Sequence, residues 1–166
     1  MDEWEQLQNK LEELSPYIGR LVIEFTALEE TLNSMLVETI NEHDEDSGWV
    51  IIARMSYTTK TNLFYDLNRR ILEFCNAPID FIIEFDTVIE DIRKAGRIRN
   101  EIIHAAWYEL NPSDSKVKTR TQVKKGELSH IQKQLTTTEI EDAINFINNV
   151  EDHLDNFWEK RERFAC

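Results

Sequence analysis

The sequence predicts an all-α fold, a helical bundle of four to five main helices with a small β-hairpin inserted before the last helix. Three observations carry this. Glycine and proline are scarce, with four and three copies in 166 residues, while Leu, Ile, Glu and Asn are frequent; that composition favours helices. Apolar residues recur at i, i+3, i+4 and i+7 over several long windows, the spacing of one buried helix face. The period then switches to two after residue 115, behind a turn signal, and becomes helical again near residue 136.

Residues 2–14 read as a first helix rich in Glu, Gln and Leu. Ser15-Pro16 reads as an N-cap followed by a first-turn proline. A second helix is expected from there to about residue 41, with Ile18, Leu21, Val22, Phe25, Leu28, Leu32, Met35 and Leu36 as its apolar stripe. NEHDEDSG, residues 41–48, reads as a solvated loop, since its acids lack the alternating ligand positions and closing Glu of an EF-hand. Trp49–Met55 is expected as a short helix. Tyr57–Asn76 is expected as another, with Leu63, Phe64, Leu67, Ile71, Leu72 and Phe74 facing the core, broken by Ala77-Pro78. Residues 79 to about 108 form the longest predicted helix.

Asn111-Pro112-Ser113-Asp114 is a turn. In KVKTRTQV, Val117, Thr119, Thr121 and Val123 fall on one strand face, and Lys116, Lys118 and Arg120 on the other. Lys125-Gly126 turns the chain, and Leu128–Leu135 returns it. A lone hairpin is marginal, so this one should lean on the helices. Thr136 to Glu139 matches a capping box. It opens a last helix with Ile140, Ala143, Ile144, Ile147, Val150, Leu154 and Phe157 as the buried stripe.

The length predicts one domain, residues 1–166, with its core at about 15–160 and the hairpin insertion at about 112–135. Two cysteines, Cys75 and Cys166, do not make a disulfide framework and point to a reducing compartment. The first twenty residues hold no apolar signal-peptide core, and no window approaches the roughly 18 apolar residues of a membrane helix. A cytoplasmic protein with no membrane partner is expected. The formal net charge is −13, which by itself argues against a phosphate-rich partner. Yet residues 93–125 hold nine basic side chains against three acids, a segment of +6 beside −19 on the rest. Such sign asymmetry hints at an interaction surface, unless folding mixes the charges again.

There is no Gly-rich phosphate loop, C-x-x-C, H-E-x-x-H or G-x-S-x-G. His43, His104, His130 and His153 show no metal-pair spacing. Glu101 and His104 have the Glu-x-x-His interval of a di-iron bundle, but no second copy accompanies them. No metal and no cofactor are expected. On the long helix, Phe85, Val88, Ile92, Ala95, Ile102, Ile103 and Ala106 share one arc, with Arg99 near its middle. Arg93, Arg97, Asn100 and His104 share another arc. A guanidinium on a buried face needs a partner. Glu29, out of place in the apolar stripe of its own helix, is the expected ion-pair partner of Arg99. Failing that, Arg99 sits at the stripe's end and reaches water along its stem.

Arg99-Asn100-Glu101-Ile102-Ile103-His104 has the form R-N-x-x-x-H near the end of a long helix. This resembles the signature of the HEPN superfamily of helical nucleotide-binding domains, over roughly residues 15–160, with six positions carrying the specificity. The resemblance implies a metal-independent endoribonuclease acting on RNA as a homodimer, with two motifs facing one cleft. A toxin or defence effector, held by an antitoxin protein, is the implied setting. Arg99, Asn100 and His104 would be catalytic. Histidine exchanges protons near neutral pH and can serve the 2′-OH or the leaving oxygen. Arginine's planar fork suits a phosphate, and Asn100 can orient either. Arg93, Arg97, Lys116, Lys118 and Arg120 are the expected RNA-backbone contacts, although lysines guarding an edge strand explain the last three equally well. The competing expectation is a non-catalytic HEPN-like module that binds or regulates.

Overall fold

The structure, a computed structural model, describes residues 2–41 and 43–164. It is all-α with one inserted hairpin: α1 (Glu3–Ile40), α2 (Glu45–Ile52), α3 (Tyr57–Phe74), α4 (Ile79–Ile103), β1 (Lys116–Lys124), β2 (Glu127–Gln134) and α5 (Thr137–Arg161). The chain divides into two compact units. Unit 1 takes the residues up to Phe25 and Arg97–Phe146. Unit 2 takes Thr26–Gly96 and the residues from Ile147 on.

The first helix corrects the reading of Ser15-Pro16. Pro16 lies inside α1 and starts nothing. Leu7, Leu14, Leu21 and Leu28 recur every seven residues and are all buried. Burying such a stripe outweighs the roughly 3 kcal/mol that an internal proline costs. Ser15 does not cap; its hydroxyl donates back to the Leu11 carbonyl at 2.6 Å. Val22, placed in the stripe by periodicity, is exposed.

The polar stretch after α1 is shorter than expected, because α2 begins at Glu45. Asp44 is its N-cap, accepting from the Ser47 N–H at 3.3 Å. Hydrogen bonds from Ser47 hold the Asp44 carboxyl below its usual range. Ser56 caps α3 through the Thr59 N–H at 3.2 Å. Asn76, at φ 53°, closes α3 in the left-handed conformation. The Ala77 N–H reaches the Leu72 carbonyl at 2.9 Å and the Asn76 N–H the Glu73 carbonyl at 3.2 Å, the paired bonds of a Schellman end. Cys75, at this cap, is not a free thiol, against the expectation drawn from the cysteine count. Cys166 lies outside the described residues.

The inner side of α3 is more polar than its periodicity suggests. Phe64 and Leu72 are buried as expected, but Phe74 is 80 % exposed, and Lys60, Thr61 and Asn68 are buried instead. Each finds a partner nearby. Thr61 donates to the Tyr57 carbonyl and Asn68 to the Phe64 carbonyl, both at 2.9 Å. Lys60 donates to Glu29 at 2.9 Å. Buried polar groups persist when such bonds are made.

Unit 2 is filled by aromatic rings. Phe157 stacks on Phe85 at 4.6 Å and on Phe81 at 5.4 Å, and Phe64 meets Phe85 edge-on at 6.1 Å. At Gly96, α4 passes close to Tyr57; an added Cβ would lie 2.7 Å from the ring. The Tyr57 hydroxyl donates to the Ile92 carbonyl at 3.0 Å. Burial, and then the Glu29 charge, push this phenol well above its ordinary range. Gly96→Ala is therefore expected to destabilise by about 1–3 kcal/mol through overpacking. Helix propensity alone predicts the opposite sign, by roughly 0.5–1 kcal/mol. A urea melt decides between them.

The helix expected to be longest, α4, ends at Ile103, not near residue 108, and at 25 residues it is shorter than the 38-residue α1. The reason is non-local. The Ala106 N–H donates to the Lys118 carbonyl of β1 at 2.9 Å, and the Trp107 indole N–H to the Ile102 carbonyl at 3.0 Å. Those bonds pull the chain off the helix into a 3-10 turn at Trp107–Glu109.

The hairpin is antiparallel, and Lys125-Gly126 joins its strands with φ of 52° and 84°. Two positive φ values mark the type I′ turn that suits strand twist. A register shift falls between Lys118 and Arg120, so β1 carries one extra residue, Thr119. That bulge corrects the predicted faces. Beyond it the alternation is out of phase: Val117 is 0 % exposed and Val123 65 %. Arg120 thus parts from Lys116 and Lys118.

The capping box before α5 is present. Thr136 N–H donates to the Glu139 carboxylate at 2.8 Å, and Glu139 N–H to the Thr136 hydroxyl at 3.3 Å. All seven predicted stripe residues of α5 are buried.

Candidate functional site

The R-N-x-x-x-H segment lies in unit 1, on the last turn of α4 and just past it. Arg99 is half-buried, while Asn100 and His104 are exposed. The His104 N–H donates to the Asn100 carbonyl at 3.1 Å. That bond closes one more turn beyond the helix and stacks the two residues on successive turns. His104 therefore presents its imidazole at a helix end, where solvent or a ligand can reach it.

Glu29, the expected partner of Arg99, lies in unit 2 and takes a cation of that unit. Glu29 holds Lys60, whose side chain is 11 % exposed. The lysine is the more buried cation and has the stronger need of an anion. Glu29→Gln should leave that ammonium without its charge partner and cost about 1–3 kcal/mol. Chemical denaturation measures it, and a cost near zero would show that water already serves Lys60.

Arg99 is held in another way. Its guanidinium sits over the Phe25 ring, 5.6 Å from the centroid. One terminal nitrogen donates to the Asn100 side-chain oxygen at 2.9 Å. The Nε is buried and makes no hydrogen bond. A cation over an aromatic face is stabilised by about 0.5–2 kcal/mol, depending on its desolvation. The stem thus belongs to the core and the terminal nitrogens to the surface.

Glu101, inside the motif, accepts from Lys133 of β2 at 2.8 Å. With the Ala106–Lys118 bond, this ties the hairpin to the motif within unit 1. Sequence reasoning missed the link, since 32 residues separate Glu101 from Lys133. Among the described residues, no three His, Cys, Asp or Glu side chains group as metal ligands.

The five predicted phosphate contacts differ in availability. Arg93 lies in unit 2, paired with Glu90 at 2.6 Å, donating to Asn62 at 3.2 Å and lying over the Tyr65 ring. Lys116 pairs with Asp114 at 2.9 Å, and Lys118 with Glu109 at 2.7 Å. The Lys116 hydrogen bonds hold the Asp114 carboxyl below its usual range. Such surface pairs are worth about 0–1 kcal/mol, so a phosphate could compete for these lysines. Arg97 and Arg120 are exposed.

A separate groove of about 510 Å³ opens in unit 2 beside Glu84, Asp91, His153, Asn156 and Lys160. None of the sequence-predicted site residues lines it. No described helix is long and apolar enough to cross a membrane. Comparison with protein-family models, with curated proteins and with solved structures finds no match for the chain.

Proposed function

We propose that this chain is a metal-independent endoribonuclease of HEPN type. It cleaves RNA by attack of the 2′-OH at a site completed by a second copy of the chain, in the setting of a toxin or defence effector. The observation that carries the reading is the exposed His104 stacked one turn beyond Asn100, beside Arg99. In this reading the imidazole moves the proton of the 2′-OH or of the 5′-oxygen leaving group. The free edge of the Arg99 guanidinium faces the charge that builds on phosphorus. Asn100 fixes that guanidinium through its side-chain oxygen. Arg97 contacts the backbone, and Lys116 and Lys118 join it by giving up weak carboxylate pairs, while Arg120, on the other face of the hairpin, does not share that track.

A second reading draws on Arg99 itself. Its buried Nε and its seat on Phe25 suit a structural residue, and so favour a non-catalytic HEPN-like module that binds or regulates. Incubation with mixed RNA in excess EDTA separates the two. The first reading expects products with 2′,3′-cyclic phosphate and 5′-hydroxyl ends. RNA that is retained and stays intact at high protein concentration favours the module.

A further inference from the structure

The outer edge of β1 is already occupied over its first half. The Lys116 carbonyl accepts from the Asn111 N–H at 2.8 Å, and the Lys118 carbonyl from the Ala106 N–H at 2.9 Å. Carbonyls aimed outward mark Lys116 and Lys118, and their partners Gln134 and Gln132, as non-hydrogen-bonded pairs of the ladder. Alternation along β2 then turns the backbone groups of Leu128, His130, Gln132 and Gln134 away from β1. They form an open edge on a strand whose eight residues are all exposed. Leu128 to Gln132 is five residues with no charge and no proline. Protected edges usually carry one or the other. Leu128 and Ile131 are also 64 % and 38 % exposed.

The charges at the two ends of β2 select an occupant. Glu127 stands at one end and Lys133 near the other. If a second β2 runs antiparallel with His130 opposite itself, Glu127 meets Lys133 of the second copy, twice by symmetry. In that same register Leu128 meets Gln132, and both present outward backbone groups. Centring the pair on a neighbouring residue loses the charge match. We propose that a second copy of this chain docks by antiparallel addition of β2 to β2 about His130, converting two ribbons into one four-stranded sheet. Two strands alone are marginal and four are not, and the contact is self-complementary, as a two-fold interface must be. Lys133 joins the new pair from its present place beside Glu101. The inference deepens the dimeric part of the function proposed above. Its test reads association and not cleavage, so the two can fail separately.

The full chain is studied by sedimentation, with helix content followed by circular dichroism as a check on folding. Glu127→Lys and Lys133→Glu should each weaken dimerisation about tenfold or more, since each creates two like-charge cross-strand pairs. The double variant should restore it. Independently of charge, His130→Cys should cross-link to itself, because opposed Cα atoms about 5.5 Å apart lie within disulfide reach. Leu128→Cys and Gln132→Cys should cross-link only when the two variants are mixed. A monomer at high concentration overturns the proposal, as does a dimer indifferent to both reversals or a cross-link pattern centred elsewhere. If the reversals leave association intact and weaken retention of RNA, the strand belongs to RNA and the proposal is also overturned.

Discussion

Phe157→Ala should lower the stability of the fold by about 3–5 kcal/mol, the range for emptying a buried aromatic site. Phe157 is 0 % exposed and stacks on Phe85 and Phe81, with Phe64 edge-on at 6.5 Å. Truncation removes the ring that several others lean on, and rigid neighbours close such a gap only in part. A typical domain has about 5–15 kcal/mol in all, so the variant should stand near its unfolding threshold at 37 °C. Phe157→Leu keeps much of the volume and should lose less. Urea denaturation followed by near-ultraviolet circular dichroism reports this ring cluster. A loss below about 1 kcal/mol would show that unit 2 collapses around the vacancy, and that its packing is looser than the ring geometry indicates.

On activity, the largest effect is expected at His104. In the presence of EDTA, His104→Ala should slow RNA cleavage by about 10²–10⁴-fold, the range for a positioned proton-transfer group. The same change should move stability by no more than about 0.5 kcal/mol, as for surface sites. The side chain is exposed, and its link to Asn100 runs through the backbone N–H, which alanine keeps. Rate and stability therefore separate at this residue. At Arg99 they should not, because the alanine variant also removes a cation from the Phe25 ring. Cleavage at an undiminished rate in a folded His104→Ala protein would remove histidine from the chemistry and with it the proposed mechanism.

What could be read from the sequence is what local chemistry decides. The Thr136–Glu139 box and the stripe of α5 follow from residues three and four apart, and both are present as expected. The hairpin turn at Lys125-Gly126 is equally local. Pro16 was misleading because a local rule met a longer leucine repeat, and the burial of that repeat won. The end of α4 was illegible because its cause, the Lys118 carbonyl, lies 12 residues beyond Ala106. At the candidate site, the exposure of Asn100 and His104 and the inward placement of Arg99 could be read from helical angle alone. The partner of Arg99 could not. A misplaced acid suggested itself, but lysine is usually solvated, so nothing in the sequence announced Lys60 as the buried claimant of Glu29. Phe25 was already assigned to the core and offered no sign that its ring face would seat a guanidinium.

The extra residue at Thr119 has a consequence of parity. Which side of the ribbon's outer half is apolar depends only on whether the two strands hold equal numbers of residues between matched pairs. They differ by one, so Val123 and Leu128 are turned outward. A single residue inserted in β2 between Ile131 and Gln132 would equalise the count. Arg120 would rejoin the side of Lys118, and Val123 with Leu128 would roll to the side of Val117. The chemistry that the hairpin shows to its surroundings is thus set by arithmetic, and one residue inverts it without changing any other side chain.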